Sequence, residues 1–596
     1  MIKFPYGISD FDKISREAYF YIDRTPYLCL LEEIGPQLLF LRPRRFGKSL
    51  LLSVLENYYD LAKAPEFERL FGKLAIGQQP TPLHNTYFVM KWDFSVISAL
   101  GDAAAIQQAI YDHLNDQIRN FSIYYQTYLP IPIEINPENA LSSFASALTA
   151  VHQTPYRLYL LIDEYDNFAN EVLMSSQGEG RRRYEELVQG EGIFKTVFKV
   201  IKAASSGQGL DRVFITGVSP VVMADISSGY NVAKNAYQRR ELNHLCGFTE
   251  PEIFHTLQQV AQACHFTEQQ TGDALQMMRA FYNGYCFSAE ADEPVYNPTL
   301  VLYFLEALQE NNAYPDEMLD SNLAMDRARL FYVARLGGAK ALLNAALNEQ
   351  EPLTVTTLAQ RFGIAEILSG KKKSTEYLAA LLYYLGVLTL DRRAALRKLV
   401  LRIPNLVVRE LYVEQLRELL LPDVDDQESA QQAAETFFVS GELQPLCDFV
   451  ERRLFTAYDN RDYITANELT IKTAFLTLLF NDRLYMVDSE TAIRRTYADI
   501  TLIRRPDLRD EPGLLDLILE FKYVKLSEVN LDGVTARQLS RPELLALPAI
   551  QTQLAAARTQ LQGYRQALQQ QYGTILHLRT YAVVALGFER VAWAEV

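Results

Sequence analysis

The chain is poor in the features that would assign it quickly to several large protein classes. It has 596 residues and only five cysteines, Cys29, Cys246, Cys264, Cys286 and Cys447, scattered with no C-x-x-C pair. That spacing argues against a cysteine metal site and reads as reduced thiols of a cytoplasmic protein. No uninterrupted apolar stretch approaches the ~20 residues that span a bilayer, so no membrane partner is expected. The opening Met1–Gly7 lacks the apolar core of a signal peptide. Positive charge is also in deficit, with 58 Lys and Arg against 73 Asp and Glu, a formal net charge of −15. This argues against a general polyanion binder but leaves room for a local basic groove. With 49% hydrophobic and 22% charged residues, the composition is that of an ordinary globular protein. The length suggests roughly three to five domains.

One further absence is local. Gln37–Leu41 is an apolar run that leads into Arg42-Pro43-Arg44-Arg45-Phe46-Gly47-Lys48-Ser49, and the helix-forming Leu50–Glu56 follows at once. Strand, loop and helix N-terminus in that order make a phosphate site, because backbone N–H groups and the helix dipole converge on an anion. Lys48 is expected to reach the β- and γ-phosphates and Ser49 to ligate Mg²⁺. The first glycine of G-x-x-x-x-G-K-S is missing, however, and Arg42 stands in its place. The aromatic stretch Tyr19–Thr25 before the loop is expected either to fold over a nucleotide base or simply to join the core.

Arg157–Ile162 is a continuous apolar strand that ends in Asp163-Glu164, as parallel strands buried on both faces do. Paired with Gly47-Lys48-Ser49, it reads as the second half of an ATP site, with Asp163 holding Mg²⁺ and Glu164 polarising the attacking water. A third strand, Arg212–Gly217, ends near Thr216 and Ser219, the candidates to sense a γ-phosphate. Alternating strands and helices make residues 1–235 an α/β domain with a mainly parallel sheet. Residues 236–430 read as helical, with a helix start at Thr249 and a winged-helix-like helix and hairpin over 381–405 that carries Arg392, Arg393, Arg397, Lys398 and Arg402. Such a basic run is usually a solvated face. The acidic Pro422–Ser429 marks a boundary.

Residues 431–596 form the second chemical unit. A helix opening at Glu468 is followed by strands around Leu484–Glu490, Tyr497–Ile503 and Leu514–Val524, then a helix and a strand. Asp499, Glu520 and Lys522 lie within these apolar strands, where burying a charge is costly unless it pairs or binds a metal. Strand periodicity puts Glu520 and Lys522 on one face. Two carboxylates there call for Mg²⁺ or Mn²⁺, beside a lysine that can help a metal-bound water attack a phosphodiester.

Taken together, the chain resembles bacterial AAA-type ATPase-like proteins with a C-terminal PD-(D/E)XK nuclease domain. The likeness rests on Arg42–Ser49, Asp163–Asp166, Thr216–Ser219, Tyr282–Tyr285, Asn297-Pro298, Glu468, Asp499, Glu520-Phe521-Lys522, Gln560 and Tyr564. In that family arginine is usual at the first loop position, so the resemblance implies that Arg42, Arg44, Arg45, Phe46, Gly47, Lys48, Ser49, Leu50, Asp163 and Thr216 form the ATP site. It implies that Asp499, Glu520 and the Phe521 carbonyl bind metal, that Lys522 assists the water and that Glu468 supports the cluster. Gln560 and Tyr564 would orient this shell or contact substrate. The fold implied for the C-terminus is a restriction-endonuclease-like α/β domain, and the implied partner is DNA or RNA. One departure is the segment Thr491–Tyr497, with Arg494 and Arg495, where the family tends to have a glycine-rich turn. Three functions fit: an ATP-regulated nuclease, a nucleotide-controlled binding module that recognises nucleic acid or protein without cutting, and a plain ATPase switch. An oligomer fits each of them.

Overall fold

The computed structural model describes residues 1–97, 101–167, 192–220, 231–319, 339–347, 352–359, 373–457, 467–488, 492–493, 496–511, 513–573 and 575–596, with the single positions 333 and 336. Arg494, Arg495, Thr491 and Glu490 lie outside them.

The N-terminal sheet has five strands, β1 (Gln37–Leu41), β2 (Tyr87–Asp93), β3 (Arg157–Asp163), β4 (Leu210–Gly217) and β5 (Lys234–Asn235). Their spatial order is β2-β3-β4-β1-β5, and all neighbours are parallel. The apolar runs of β1, β3 and β4 are buried almost throughout, as a sheet covered on both faces requires. The register pairs Phe40 with Thr216 and Leu41 with Gly217, so β1, β3 and β4 end together at one edge. The loop after β1 leads straight into helix α1 (Lys48–Tyr59) at that edge.

Next come helices α2 (Glu250–Cys264) and α3 (Pro298–Asn311). Thr249 and Glu252 cap α2 reciprocally, and Asn297 caps α3 through the amides of Thr299 and Leu300. These are the start signals that their sequences carry. A small antiparallel sheet, ordered β6-β8-β7, joins β6 (Leu353–Val355), β7 (Thr389–Arg393) and β8 (Leu399–Arg402). Helix α4 (Thr375–Tyr384) precedes the β7–β8 hairpin, and its residues from Tyr377 to Tyr384 are all buried. It therefore presents no open face of its own to a nucleic acid. Helix α5 (Leu406–Leu420) follows, tied to the preceding segment by Asn405 Nδ2 donating to the Asn283 carbonyl at 2.9 Å.

The C-terminal part contains helix α6 (Glu468–Leu479), strands β9 (Tyr485–Asp488), β10 (Ala492–Ile493), β11 (Thr496–Tyr497), β12 (Ile500–Arg504) and β13 (Asp516–Val524), helix α7 (Pro548–Tyr572), and strands β14 (Leu578–Leu586) and β15 (Arg590–Glu595). β10 and β11 pair only with each other. The remaining five form a mixed sheet ordered β15-β14-β13-β12-β9, in which only β13 and β14 run parallel. β15 is an edge strand beyond the expected set. Helix α6 packs on β13 and α7 spans β13 and β14. Among the described residues no helix is long and apolar enough to cross a membrane.

Candidate functional site

Two clusters of charged side chains sit at strand ends, one in each sheet. In the first, Gly47 caps α1 with φ of 84°, a left-handed conformation that a side chain would strain. The first amides of α1 have no carbonyl one turn earlier to bond and lie beside a cavity of about 560 Å³. Lys48 is buried, and its Nζ donates to the Pro43 carbonyl at 3.0 Å. Burial pushes its pKa down, against the pull of Glu164, Asp163 and Asp166. Ser49 Oγ donates to Asp163 Oδ2 at 2.8 Å, so the hydroxyl and the carboxylate meet across the β1 and β3 ends.

Asp163 is held on its other side by the Thr216 hydroxyl (2.6 Å) and the Glu164 amide (3.0 Å), both on Oδ1. Thr216 was expected to sense a γ-phosphate, but it is fully buried behind Asp163 and orients it. The register of β3 and β4 is the reason, since it directs the hydroxyl into the sheet edge. Ser219, the other sensor candidate, is buried and bonded to Asp166, whose carboxylate also accepts from the Val218 and Ser219 amides. Glu164 lines the cavity with φ of 46°. Burial raises its pKa, partly offset by Arg44 and Lys48. Arg44 stands 4.0 Å from it and donates to Asn167 Oδ1.

Arg42 departs most from expectation. Its side chain is 1% exposed and turns away from the cavity into the protein. It donates to the carbonyls of Leu41 (2.9 Å), Tyr237 (2.8 Å) and Leu242 (2.7 Å). The guanidinium lies between the rings of Phe40 and Phe287, 4.4 and 4.0 Å from their centres. Burial lowers its pKa to about 10. Arg42 is thus a structural clamp, not a phosphate ligand. Phe46 acts the same way, its buried ring edge-on to Tyr285 and Phe287 at 4.9 and 5.2 Å. Arg45 is exposed, and its carbonyl accepts from Thr299 Oγ1 of α3 at 2.9 Å. Leu50 lines the cavity.

The rest of the cavity wall comes from the segment before the loop, including Ile8, Phe20 and Tyr21, and from Cys246, Phe248 and Leu302. Arg24 anchors the two sides to each other, bonding both oxygens of Glu252 and the Gly247 carbonyl. The polar loop thus opens into an apolar chamber, a shape suited to a phosphate chain and a planar base.

In the second cluster, Asp499 stands one residue before β12. Its Oδ2 accepts from the Phe521 amide of β13 at 2.8 Å. Glu520 is 2% exposed. Its pKa is pushed up to about 7, first by burial and then by the Asp499 charge. Lys522 Nζ donates to Glu520 Oε1 (2.8 Å), the Phe521 carbonyl (2.8 Å) and Glu468 Oε1 (3.4 Å). Glu520 Oε2 is buried and accepts no hydrogen bond. Burial raises the pKa of Glu468, at the start of α6.

Tyr564 is buried on α7, its pKa raised by burial and by the charges of Glu520, Asp499 and Glu468. Gln560, one turn earlier, is exposed, which suits contact with a substrate better than orientation of the carboxylates. Lys472, absent from the expected set, lies 3.7 Å from Asp499 Oδ1, and both side chains are buried. Its sequence signal was a lysine inside the apolar helix Ile471–Leu479, one turn after Glu468. Among the described residues, no three His, Cys, Asp or Glu side chains are grouped closely enough to hold a metal unaided. A divalent ion here would rest on Asp499, Glu520 and the Phe521 carbonyl. The partnerless Glu520 oxygen fits that role.

Residues 5–227 match the family described as Predicted AAA-ATPase (AAA-ATPase_like). This segment is AAA-ATPase-like. The match covers the cavity wall before the loop, the loop itself and the Asp163 edge, and it supports ATP binding. The chain is also similar to a protein of Azotobacter chroococcum mcd 1 called "Uncharacterized protein in vnfD 5'region", 26% identical over 427 residues, 71% of each chain. Among solved structures it is similar to the Walker-type ATPase of Pyrococcus abyssi, with 14% identity, a TM-score of 0.38, and coverage of 69% of this chain and 98% of that one. The ORC1 protein of Aeropyrum pernix, solved in complex with DNA, gives 12% identity, a TM-score of 0.24, and coverage of 66% and 93%.

Proposed function

We propose that this protein is an ATP-binding, metal-dependent nuclease. In this reading an AAA-ATPase-like domain (1–235) acts through a helical middle region (236–430) with a winged-helix-like unit. It regulates a PD-(D/E)XK-type phosphodiesterase (431–596) that cuts DNA or RNA. The observation that carries the cutting part is the buried Glu520 oxygen without a partner, beside Asp499 and with Lys522 on its other oxygen. A carboxylate is left that way at a cost, and a cation removes it.

Mg²⁺ or Mn²⁺ bound by Asp499, Glu520 and the Phe521 carbonyl would supply an acidic water and neutralise charge on the phosphodiester. The chain's own residues do the positioning. The Phe521 amide fixes Asp499, Lys522 steadies Glu520 and Glu468, and Tyr564 closes the apolar side. At the ATP site, Ser49 and Asp163 would share the Mg²⁺, Lys48 would move from the Pro43 carbonyl to phosphate, and Glu164 would face the attacking water.

Regulation is supported by a continuous set of contacts. Arg42, Arg45 and Phe46 bind the phosphate loop to the middle region. Arg417 of α5 donates to the Thr477 carbonyl of α6 at 2.9 Å, and α6 carries Glu468. Arg505, after β12, donates to the Pro315 carbonyl at 2.9 Å. The test is cleavage of DNA and RNA panels with Mg²⁺ or Mn²⁺, with and without ATP, for the wild type, Asp499→Ala and Lys522→Ala. Cleavage that survives both substitutions unchanged would remove the site assignment. A binding module without turnover is the second reading, favoured by the two lysines that already neutralise the carboxylates. It predicts metal binding and nucleic-acid retention with every substrate intact.

A further inference from the structure

We infer that Lys472 is a built-in cation of the C-terminal site, taking the role of a second metal ion beside Asp499, so that this site holds one divalent ion. The inference rests on the metal-dependent reading of the Asp499–Glu520 cluster and specifies its stoichiometry.

Lys472 follows Glu468 by one turn on α6, so both side chains leave the same face of the helix. The Lys472 side chain is 4% exposed and that of Asp499 is 3% exposed. A lysine buried to this degree stays charged only beside a compensating anion, and Asp499 Oδ1 lies 3.7 Å from its Nζ. Both oxygens of Asp499 are therefore engaged, Oδ2 by the Phe521 amide and Oδ1 by an ammonium. On the far side, Lys522 occupies Glu520 Oε1, Glu468 Oε1 and the Phe521 carbonyl. Within the cluster, the oxygen left for a newcomer is Glu520 Oε2.

The charges agree with this count. Glu468, Asp499 and Glu520 bring −3, Lys472 and Lys522 bring +2, and the net of −1 accepts one divalent ion to reach +1. A second would make it +3 in a buried setting, where like charges repel strongly. Two-metal phosphodiesterases place their ions about 3.5–4 Å apart, joined by shared oxygens. Here the oxygen a second ion would have to share, Asp499 Oδ1, already faces Lys472. The pair also holds Asp499 in place before any metal arrives.

The experiment is a Mn²⁺ titration of the full chain without nucleotide, following the signal of free Mn²⁺ by electron paramagnetic resonance. The variants are Lys472→Met, Lys472→Arg and Glu520→Gln. The wild type should bind one Mn²⁺ that Glu520→Gln loses. Lys472→Met should bind two, and Lys472→Arg, which keeps the charge, should bind one. If Lys472→Met still binds one, Lys472 is not a stand-in for a metal, while the metal site itself survives. If the wild type binds no Mn²⁺ that depends on Glu520, the underlying metal-site reading fails instead. Should Lys472→Met fold only with Mn²⁺ present, its melting temperature against Mn²⁺ concentration should rise with the slope of two ions. A one-ion slope would overturn the inference.

Discussion

Pro43 of the phosphate loop lies against Gly386, which follows the buried helix α4, so closely that a β-carbon on Gly386 would stand 2.7 Å from Pro43 Cβ. Gly386 also has φ of 80°. The carbonyl of Pro43 holds Lys48 Nζ, so the lysine expected to meet the phosphates and the unit carrying α4 share one residue. Gly386→Ala combines left-handed strain with overlap on a rigid ring. It should lower stability by roughly 2 kcal/mol or more. ATP affinity should fall as well, because the displaced Pro43 carries the Lys48 anchor. Thermal melting with and without ATP separates the two effects. A variant with wild-type melting and wild-type affinity would mean that the contact does not constrain the loop.

Arg42 leads to a prediction opposite to the one its sequence position suggests. Restoring the glycine of a standard loop, Arg42→Gly, should not improve nucleotide binding. It removes the donor for the buried Tyr237 and Leu242 carbonyls and the cation between Phe40 and Phe287. The expected cost is about 3 kcal/mol or more, read as a lower denaturation midpoint. Arg42→Lys should recover only part of it, because an ammonium cannot reproduce the planar fork.

The contrast between Arg42 and Lys48 indicates how much of the site was legible in the chain. Gly47-Lys48-Ser49 at a strand–helix boundary states its geometry locally, since φ at Gly47 and the start of α1 depend on adjacent residues. Asp163 and the Glu520–Lys522 face were legible for the same reason, through strand ends and period two. The role of Arg42 was not, because its partners lie about two hundred residues later and reach it only through folding. Thr216 was assigned to the wrong side of Asp163 because the strand register, not the sequence, decides which way its hydroxyl points. Lys472 escaped notice inside an apolar helix whose pattern reads as core. The exposure of α4 was likewise beyond the sequence: a helix before a basic hairpin looks the same whether its face is open or packed.

Thr216 and Lys48 should separate in their effects. Lys48→Ala removes the cation from the cavity and should abolish ATP binding in isothermal titration. Thr216→Val leaves the loop intact but frees Asp163 Oδ1 from its hydroxyl partner. Affinity for ATP without Mg²⁺ should hardly change, whereas the gain that Mg²⁺ confers should fall about 10- to 100-fold, the usual effect of losing a support behind a metal ligand. Equal losses with and without Mg²⁺ would place Thr216 in contact with the nucleotide after all.

The pH dependence of stability tests the second cluster without any substrate. Glu520 carries a pKa pushed up to about 7 by burial and by Asp499, well above the ordinary carboxyl value near 4.3. Between those values the folded chain binds a proton that the unfolded chain has released, so stability falls as pH rises. The contribution is fully present below the unfolded value and lost by the time pH passes 7. Without divalent ions, the wild type should lose about 1–3 kcal/mol from this group between pH 4.5 and 7.5. Glu520→Gln, neutral throughout, should lack that component. Denaturant midpoints of both proteins across the range provide the comparison. Parallel curves would mean that Glu520 ionises at an ordinary pH, and the argument from a desolvated carboxylate pair would then fall.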